Sequence, residues 1–210
     1  MGGLVIFILL LYELFYAQQL EKAIFIKILE GSFMKSLIQI RQMNSEDVEF
    51  VFQGLVENNI GKPFDYIKRC WDENETGERS TLIAIYDQKF AGWLHLLSKS
   101  IYPYFVEQGI PEINNFDVVP SRRRLGISNA LMDAIEEIAF DKHGIVGIGV
   151  GLYNDYGNAQ RLYAKRGYTP DGRGIISEGN QVEPGSSVFV GDDLALWLIK
   201  KGMEIPEKLS

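Results

Sequence analysis

The sequence predicts an α/β (α+β) domain: one mixed, mostly antiparallel sheet with helices on both faces. Two observations carry this. Between residues 36 and 201, short apolar runs of strand character recur, some alternating at a period of two and one, IVGIGVGLY, apolar throughout. Stretches with apolar residues at i, i+3 and i+4 stand between several of them, giving the order β α α β β β α β α β β.

Each element has its own signal. Residues 36–43 (SLIQIRQM) alternate apolar and polar side chains, as a half-buried strand does. Asn44 or Ser45 then caps a helix with Glu46 and Asp47 in its first turn, where acidic groups meet the positive end of the helix dipole, and Val48, Val51, Phe52 and Leu55 form its apolar stripe. Pro63 opens a second helix in PFDYIKRCWDEN, which the polar ETGERS ends. TLIAIYDQKFAGWLHLL reads as a hairpin turning near residues 87–89. IYPYFVEQGIP is expected to be an aromatic-rich loop, and EINNFDVV a strand.

The longest helix follows Gly126. Ile127, Leu131, Ile135 and Ile138 share one face, Glu136, Glu137 and Asp141 fall off it, and His143-Gly144 supplies the stop. After the buried strand IVGIGVGLY, the segment NDYGNAQRLYAKRGY predicts a shorter helix with Ala159, Leu162 and Tyr163 on one side. DDLALWLIKK is the last strand, reached across a Gly, Pro and Ser loop at residues 179–187.

Composition narrows the function. With 210 residues, 46% hydrophobic and 23% charged, the chain can bury one sizeable core, assigned to a domain over residues 34–203 with a tail at 204–210. A net charge of −7 argues against broad affinity for nucleic acid. Cys70 is the only cysteine and His95 and His143 the only histidines, so neither a disulfide framework nor a Cys/His zinc site can form; no metal is expected, and a cytoplasmic setting fits. Residues 4–17 (LVIFILLLYELFYA) are apolar but carry Glu13 and fall short of the roughly 20 residues of a membrane span. No Lys or Arg precedes Lys22, so a secretory signal is also poorly supported and no membrane role is expected; residues 1–33 read as an over-extended start before Met34 or a loosely attached helix.

The most informative stretch is DVVPSRRRLGISNALMDAIEEIAF, residues 117–140, where three arginines stand against the acidic average at the mouth of a helix. Unpaired N–H groups and the dipole make a helix N-terminus an anion site, Gly126 removes a Cβ from the approach, Ser128 keeps the next position small, and arginines add fork-like donors. A phosphate or diphosphate is therefore expected on residues 123–128. The P-loop is excluded, because Gly61-Lys62 is followed by Pro63, and GIGVG at residues 147–151 lacks the Rossmann spacing, so its glycines are read as strand packing.

FDVVP, the pattern Arg123-x-x-Gly126-x-Ser128, the helix after it and AQRLYAKRGY together resemble the GNAT N-acetyltransferase family; the family pattern ends in Gly or Ala where this chain has Ser128. The resemblance implies an acetyl-CoA-dependent N-acetyltransferase acting directly on a primary amine of a small molecule or peptide, without a metal. It implies that acetyl-CoA lies where two strands splay apart, its pantetheine arm pairing with backbone at Val118 and Val119 and its diphosphate on the amides of Arg123, Arg124, Leu125, Gly126, Ile127 and Ser128. Tyr163 matches the family tyrosine that protonates the departing thiolate. Where the family has an asparagine seven residues before that tyrosine, this chain has Tyr156, flanked by Asn154 and Asn158, either of which could hold the pantetheine. Glu112 stands where a general base is expected, with Asp117 and a water chain as rivals, and the Val119 N–H is the expected oxyanion donor. The alternative is a non-catalytic acyl-CoA-binding or regulatory module; a homodimer is compatible with the sequence.

Overall fold

The computed structural model of the chain describes Leu20, Lys22 and residues 37–202. The expectations for residues 1–33, for a start at Met34 and for the tail lie outside these. Strands β1 (Ile38–Gln42), β2 (Arg79–Tyr86), β3 (Lys89–Leu97), β4 (Glu112–Val118), β5 (Ile145–Gly151), β6 (Thr169–Ser177), β7 (Asn180–Gln181) and β8 (Leu194–Lys201) form one sheet in the order β1-β2-β3-β4-β5-β8-β6-β7. Every pairing is antiparallel except that of β4 with β5. The β2–β3 hairpin closes through Asp87 and Gln88, both left-handed at φ 51° and 58°, the turn whose twist matches that of its strands.

Alternation along the strands sorts the helices onto two faces. Leu82 and Ala84 of β2 and Leu94 and Leu96 of β3 point toward α4 (Ile127–His143) and α5 (Gly157–Lys165), in a core that includes Leu131, Met132, Ile135 and Tyr163. Ile83 and Trp93 point the other way, toward Val51 and Leu55 of α1 (Asp47–Glu57) and Ile67 of α2 (Phe64–Thr76). Asn44 does not cap α1 from the first helical position; its Oδ1 accepts from the Glu46 N–H at 2.9 Å while its own N–H donates to Asp47 Oδ2 at 2.8 Å.

Two sequence expectations are corrected here. The aromatic segment read as a loop contains a helix, α3 (Pro103–Gln108), with Pro103 in its first turn and Gly109 closing it at φ 65°. Six residues are too few to show a 3.6-residue period, so only this punctuation marked it. Glu136, expected to fall off the apolar face of its helix, is nonetheless buried at 5% exposure. Arg166 explains it: Nε donates to Oε1 and Nη2 to Oε2, each at 2.9 Å, and Lys200 Nζ donates to Oε2 at 2.6 Å. Burial pushes the Glu136 carboxyl up, but the hydrogen bonds from Arg166 and Lys200 outweigh it and hold the group below its ordinary value.

The glycines of β5 are packing sites, as the sequence suggested. A Cβ on Gly147 would lie 1.9 Å from Cε2 of Phe105, and one on Gly151 would lie 2.4 Å from the Tyr156 ring. Phe105 cannot yield, since it is fully buried between Tyr102 and Trp197, with ring centroids at 5.0 and 5.2 Å. Gly147→Ala should therefore destabilise the fold by about 1–3 kcal/mol, the range for overpacking a filled core, as read from denaturant midpoints.

Candidate active site

Strands β4 and β5 pair at only two positions, Glu112 with Gly147 and Ile113 with Ile148, and beyond these the sheet opens. The cause is a bulge. Against β3, the register of β4 shifts by one residue between Asn114 and Asp117, and Asn115 takes a left-handed φ of 45°. One extra residue bends β4 away from β5, and asparagine tolerates that conformation better than most side chains. The bulge is tied down from outside the sheet: Asn115 Nδ2 donates to Tyr66 Oη at 2.5 Å, and Lys62 Nζ donates to Asn115 Oδ1 at 3.0 Å.

The opening is a cleft of about 870 Å³ reaching from Glu112 at its closed end to Arg123, Arg124 and Ser128 at its mouth. Alternation along β4 puts the N–H and C=O of Val118 on the open edge, because the Val119 N–H turns the other way and donates to Ala91 O at 3.0 Å. This corrects one expectation. Val119 is buried at 2% exposure on the α1–α2 side, and its amide, already engaged, cannot serve as the oxyanion donor.

The arginine turn divides its labour. Arg122 lies over the Tyr86 ring, 5.0 Å from its centroid, while Arg123 and Arg124 line the cleft. Arg124 and Gly126 are both left-handed, at φ 67° and 92°; a Cβ on Gly126 would approach nothing nearer than Ile38 Cδ1 at 3.9 Å, so the conformation rather than crowding calls for glycine. Among the described residues, no N–H from Arg124 to Asn129 donates a hydrogen bond; the first engaged amide is that of Ala130, to Gly126 O at 3.0 Å. Such a run of free amides at the start of a 17-residue helix, flanked by guanidinium groups, fits a diphosphate.

On the other wall stand Tyr163 and Asn158, with Asn154 outside the lining. Tyr163 is 4% exposed, and burial followed by the nearby Tyr156 raises its hydroxyl well above the ordinary phenol value, so it keeps its proton at any physiological pH. Glu112 lines the closed end with both oxygens occupied: Oε2 accepts from Ser100 Oγ at 2.6 Å and the Ile101 N–H at 2.9 Å, and Oε1 from Asn114 Nδ2 at 2.6 Å. Asp117 accepts from Trp93 Nε1 at 3.1 Å. Asp192 accepts from the hydroxyls of Tyr153 and Tyr156, which hold it below its ordinary value. Asn115, Trp197 and Asp192 escaped the sequence reading; only the Asn-Asn pair in β4, poor in strand propensity, hinted at the bulge.

Behind the bulge, His95 is fully buried, its Nδ1 2.8 Å from Thr81 Oγ1. Burial, and then the charges of Arg79 and Lys62, push its pKa well below 6.5. The folded state thus holds His95 neutral where the unfolded chain protonates it. Its contribution to stability is fully present above about pH 6.5 and should fall as pH drops below that, by up to about 1.4 kcal/mol per unit, a slope that His95→Gln would remove from melting curves.

The description "Acetyltransferase (GNAT) family" applies to residues 41–168, which match that family's model. The chain belongs to the GNAT acetyltransferase family. It is accordingly an acetyltransferase, and the GNAT fold recurs in its structural neighbours. An N-acetyltransferase from Staphylococcus aureus Mu50 superposes with a TM-score of 0.59 at 14% identity, covering 78% of this chain and 98% of that one. The spermidine/spermine N-acetyltransferase SpeG from Vibrio cholerae gives 0.56 at 14% identity, covering 80% and 94%. The PaiA N-acetyltransferase from Thermoplasma acidophilum, in complex with coenzyme A, gives 0.52 at 14% identity, covering 79% and 99%. At these identities the likeness is one of fold. No curated protein matches the chain. Among the described residues, no helix is long and apolar enough to cross a membrane, and no group of three or more His, Cys, Asp or Glu is placed to hold a metal ion.

Proposed function

We propose that the protein transfers an acetyl group from acetyl-CoA directly to a primary amine of a small molecule or peptide. The observation that carries this reading is one continuous cleft with free helix-start amides and Arg123 and Arg124 at its mouth, an unpaired edge of β4 along its wall, and a buried, protonated Tyr163 facing it. Acetyl-CoA supplies the activated acyl group as a thioester. The amides of residues 124–129 bind its diphosphate, and the Val118 N–H and C=O pair with its pantetheine amides as an added strand would. Asn158 lines the cleft and Asn154 does not, which supports Asn158 as the asparagine that meets the arm.

The α1–α3 side of the opening is left for the acceptor. There Asn115, Asp117 and Lys62 reach the cleft, while Tyr163 belongs to the core of the other face. Attack requires a neutral amine, and Glu112 takes the proton on Oε1, which accepts only from Asn114 and so keeps a lone pair, with Asp117 as the rival carboxylate. Tyr163 then gives its proton to the departing sulfur. A thiol-release assay with acetyl-CoA and a panel of amines tests the whole: release that depends on amine supports it. Binding of acetyl-CoA without release by any amine favours the alternative, a non-catalytic acyl-CoA-binding module.

A further inference from the structure

Three of the carboxylates that line the cleft already have donors from the protein. Glu112 accepts three hydrogen bonds, Asp117 accepts the Trp93 indole N–H, and Asp192 accepts two tyrosine hydroxyls. Lys62 is in the opposite condition. Its ammonium donates to the neutral Asn115 Oδ1 and lies 5.8 Å from the Tyr66 ring centroid, and among the described residues it enters no ion pair.

Its position is fixed from several directions. The backbone N–H of Lys62 donates to Ile60 O at 2.9 Å, and Pro63 follows, restricting the Lys62 backbone to extended conformations. Asn115, the oxygen partner, is itself anchored by Tyr66 and sits at the bulge where the sheet opens. An ammonium has three donors, and one is used, so Lys62 holds two toward the cleft or solvent beside the gap through which an acceptor must reach. Asp192, whose carboxyl is held low first by the two tyrosine hydroxyls and then by the Lys62 charge, is already engaged by those hydroxyls, so the remaining Lys62 donors are open to an incoming carboxylate.

We infer that Lys62 is the seat of a carboxylate on the acceptor, so that the acceptor is an amine bearing a carboxylate close to the reacting nitrogen: an amino acid or a short peptide of that pattern. This rests on the acetyltransfer reading above and narrows it. Elsewhere along the same cleft, Ile101 at 71% exposure and the Trp197 indole offer apolar surface for a nonpolar side chain on the acceptor. A single ammonium on a fixed stem reads one carboxylate; a phosphate would call for the bidentate or multiple donors that cluster instead at the arginine turn.

The test compares matched acceptors differing only at this group: nonpolar amino acids, their amides, the corresponding decarboxylated amines, and an amine carrying a phosphate in place of the carboxylate. Thiol release gives kcat/KM for each. The acid should exceed its amide by about 10- to 100-fold, the scale of one charge-assisted hydrogen bond, and Lys62→Met should bring that ratio close to one while Lys62→Arg keeps most of it. Coenzyme A affinity, measured by calorimetry on the same variants, should be unchanged, which separates loss of the acceptor site from loss of fold. Equal rates for acid and amide, a preference for the phosphate compound, or a ratio that survives Lys62→Met would each overturn the inference. Absence of release with every amine would instead strike the acetyltransfer reading beneath it.

Discussion

Tyr163→Phe is expected to lower kcat for acetyl transfer by about 10²- to 10⁴-fold, the range supplied by a positioned general acid, while leaving coenzyme A affinity nearly unchanged. Ala159, Leu162 and Tyr163 place one face of α5 against the main core, so the ring is held by packing, and among the described residues its hydroxyl makes no hydrogen bond. Desolvation raises its pKa, which keeps the proton on oxygen and leaves it available to a thiolate forming in the gap. Removing one oxygen disturbs the packing little, so the loss should appear in kcat rather than in melting temperature or KM for acetyl-CoA. Because the hydroxyl titrates above the ordinary phenol range, activity of the unmodified enzyme should show no fall near pH 10 attributable to this group. A variant with unchanged kcat across pH would remove Tyr163 from the reaction.

Glu136→Ala should cost about 3–5 kcal/mol of folding stability, the expected penalty for deleting one partner of a buried charge network. The carboxylate joins three elements. Arg166, just past the end of α5, grips it with two parallel hydrogen bonds and also donates to Asp133 Oδ1 at 2.7 Å, and Lys200 of β8 reaches it from the sheet. Alanine leaves the Arg166 and Lys200 charges, at 13% and 23% side-chain exposure, without their shared partner. The sign with pH follows from the depressed carboxyl. Its contribution is complete above the ordinary value of 4.5 and is lost as pH falls through the lower folded value. Chemical denaturation at pH 7 and again below pH 4 should therefore show a large gap between the two proteins that narrows in acid. A gap of under about 1 kcal/mol at pH 7 would mean the network is solvated like an ordinary surface pair.

The parts of this site legible in the sequence are those built from contiguous residues. The arginine turn, the helix it opens and the position of Tyr163 lie within short runs whose period, punctuation and charge speak for themselves, and the strand and helix order followed from the same signals except for helix α3 and the two-residue strand β7. What escaped depends on pairs far apart. Lys62 meets Asn115 across 53 positions, and Arg166 meets Glu136 across 30, so neither a cleft ammonium nor a buried glutamate could be read from its own neighbours. The Val119 amide was misassigned for a related reason: which edge of a strand an N–H faces depends on register, and the bulge at Asn115 sets the register after it. Helix α3 was missed because six residues carry no period.

In the proposed function, free amides between Arg124 and Asn129, reinforced by Arg123 and Arg124 at the mouth of a split sheet, bind the diphosphate of coenzyme A. Titration calorimetry with coenzyme A tests it most directly. Saturable binding of one molecule per chain, weakened at least about tenfold by Arg123→Glu with Arg124→Glu and more strongly at low than at high salt, is the predicted result. No saturable heat, or an affinity indifferent to both reversals, would contradict it.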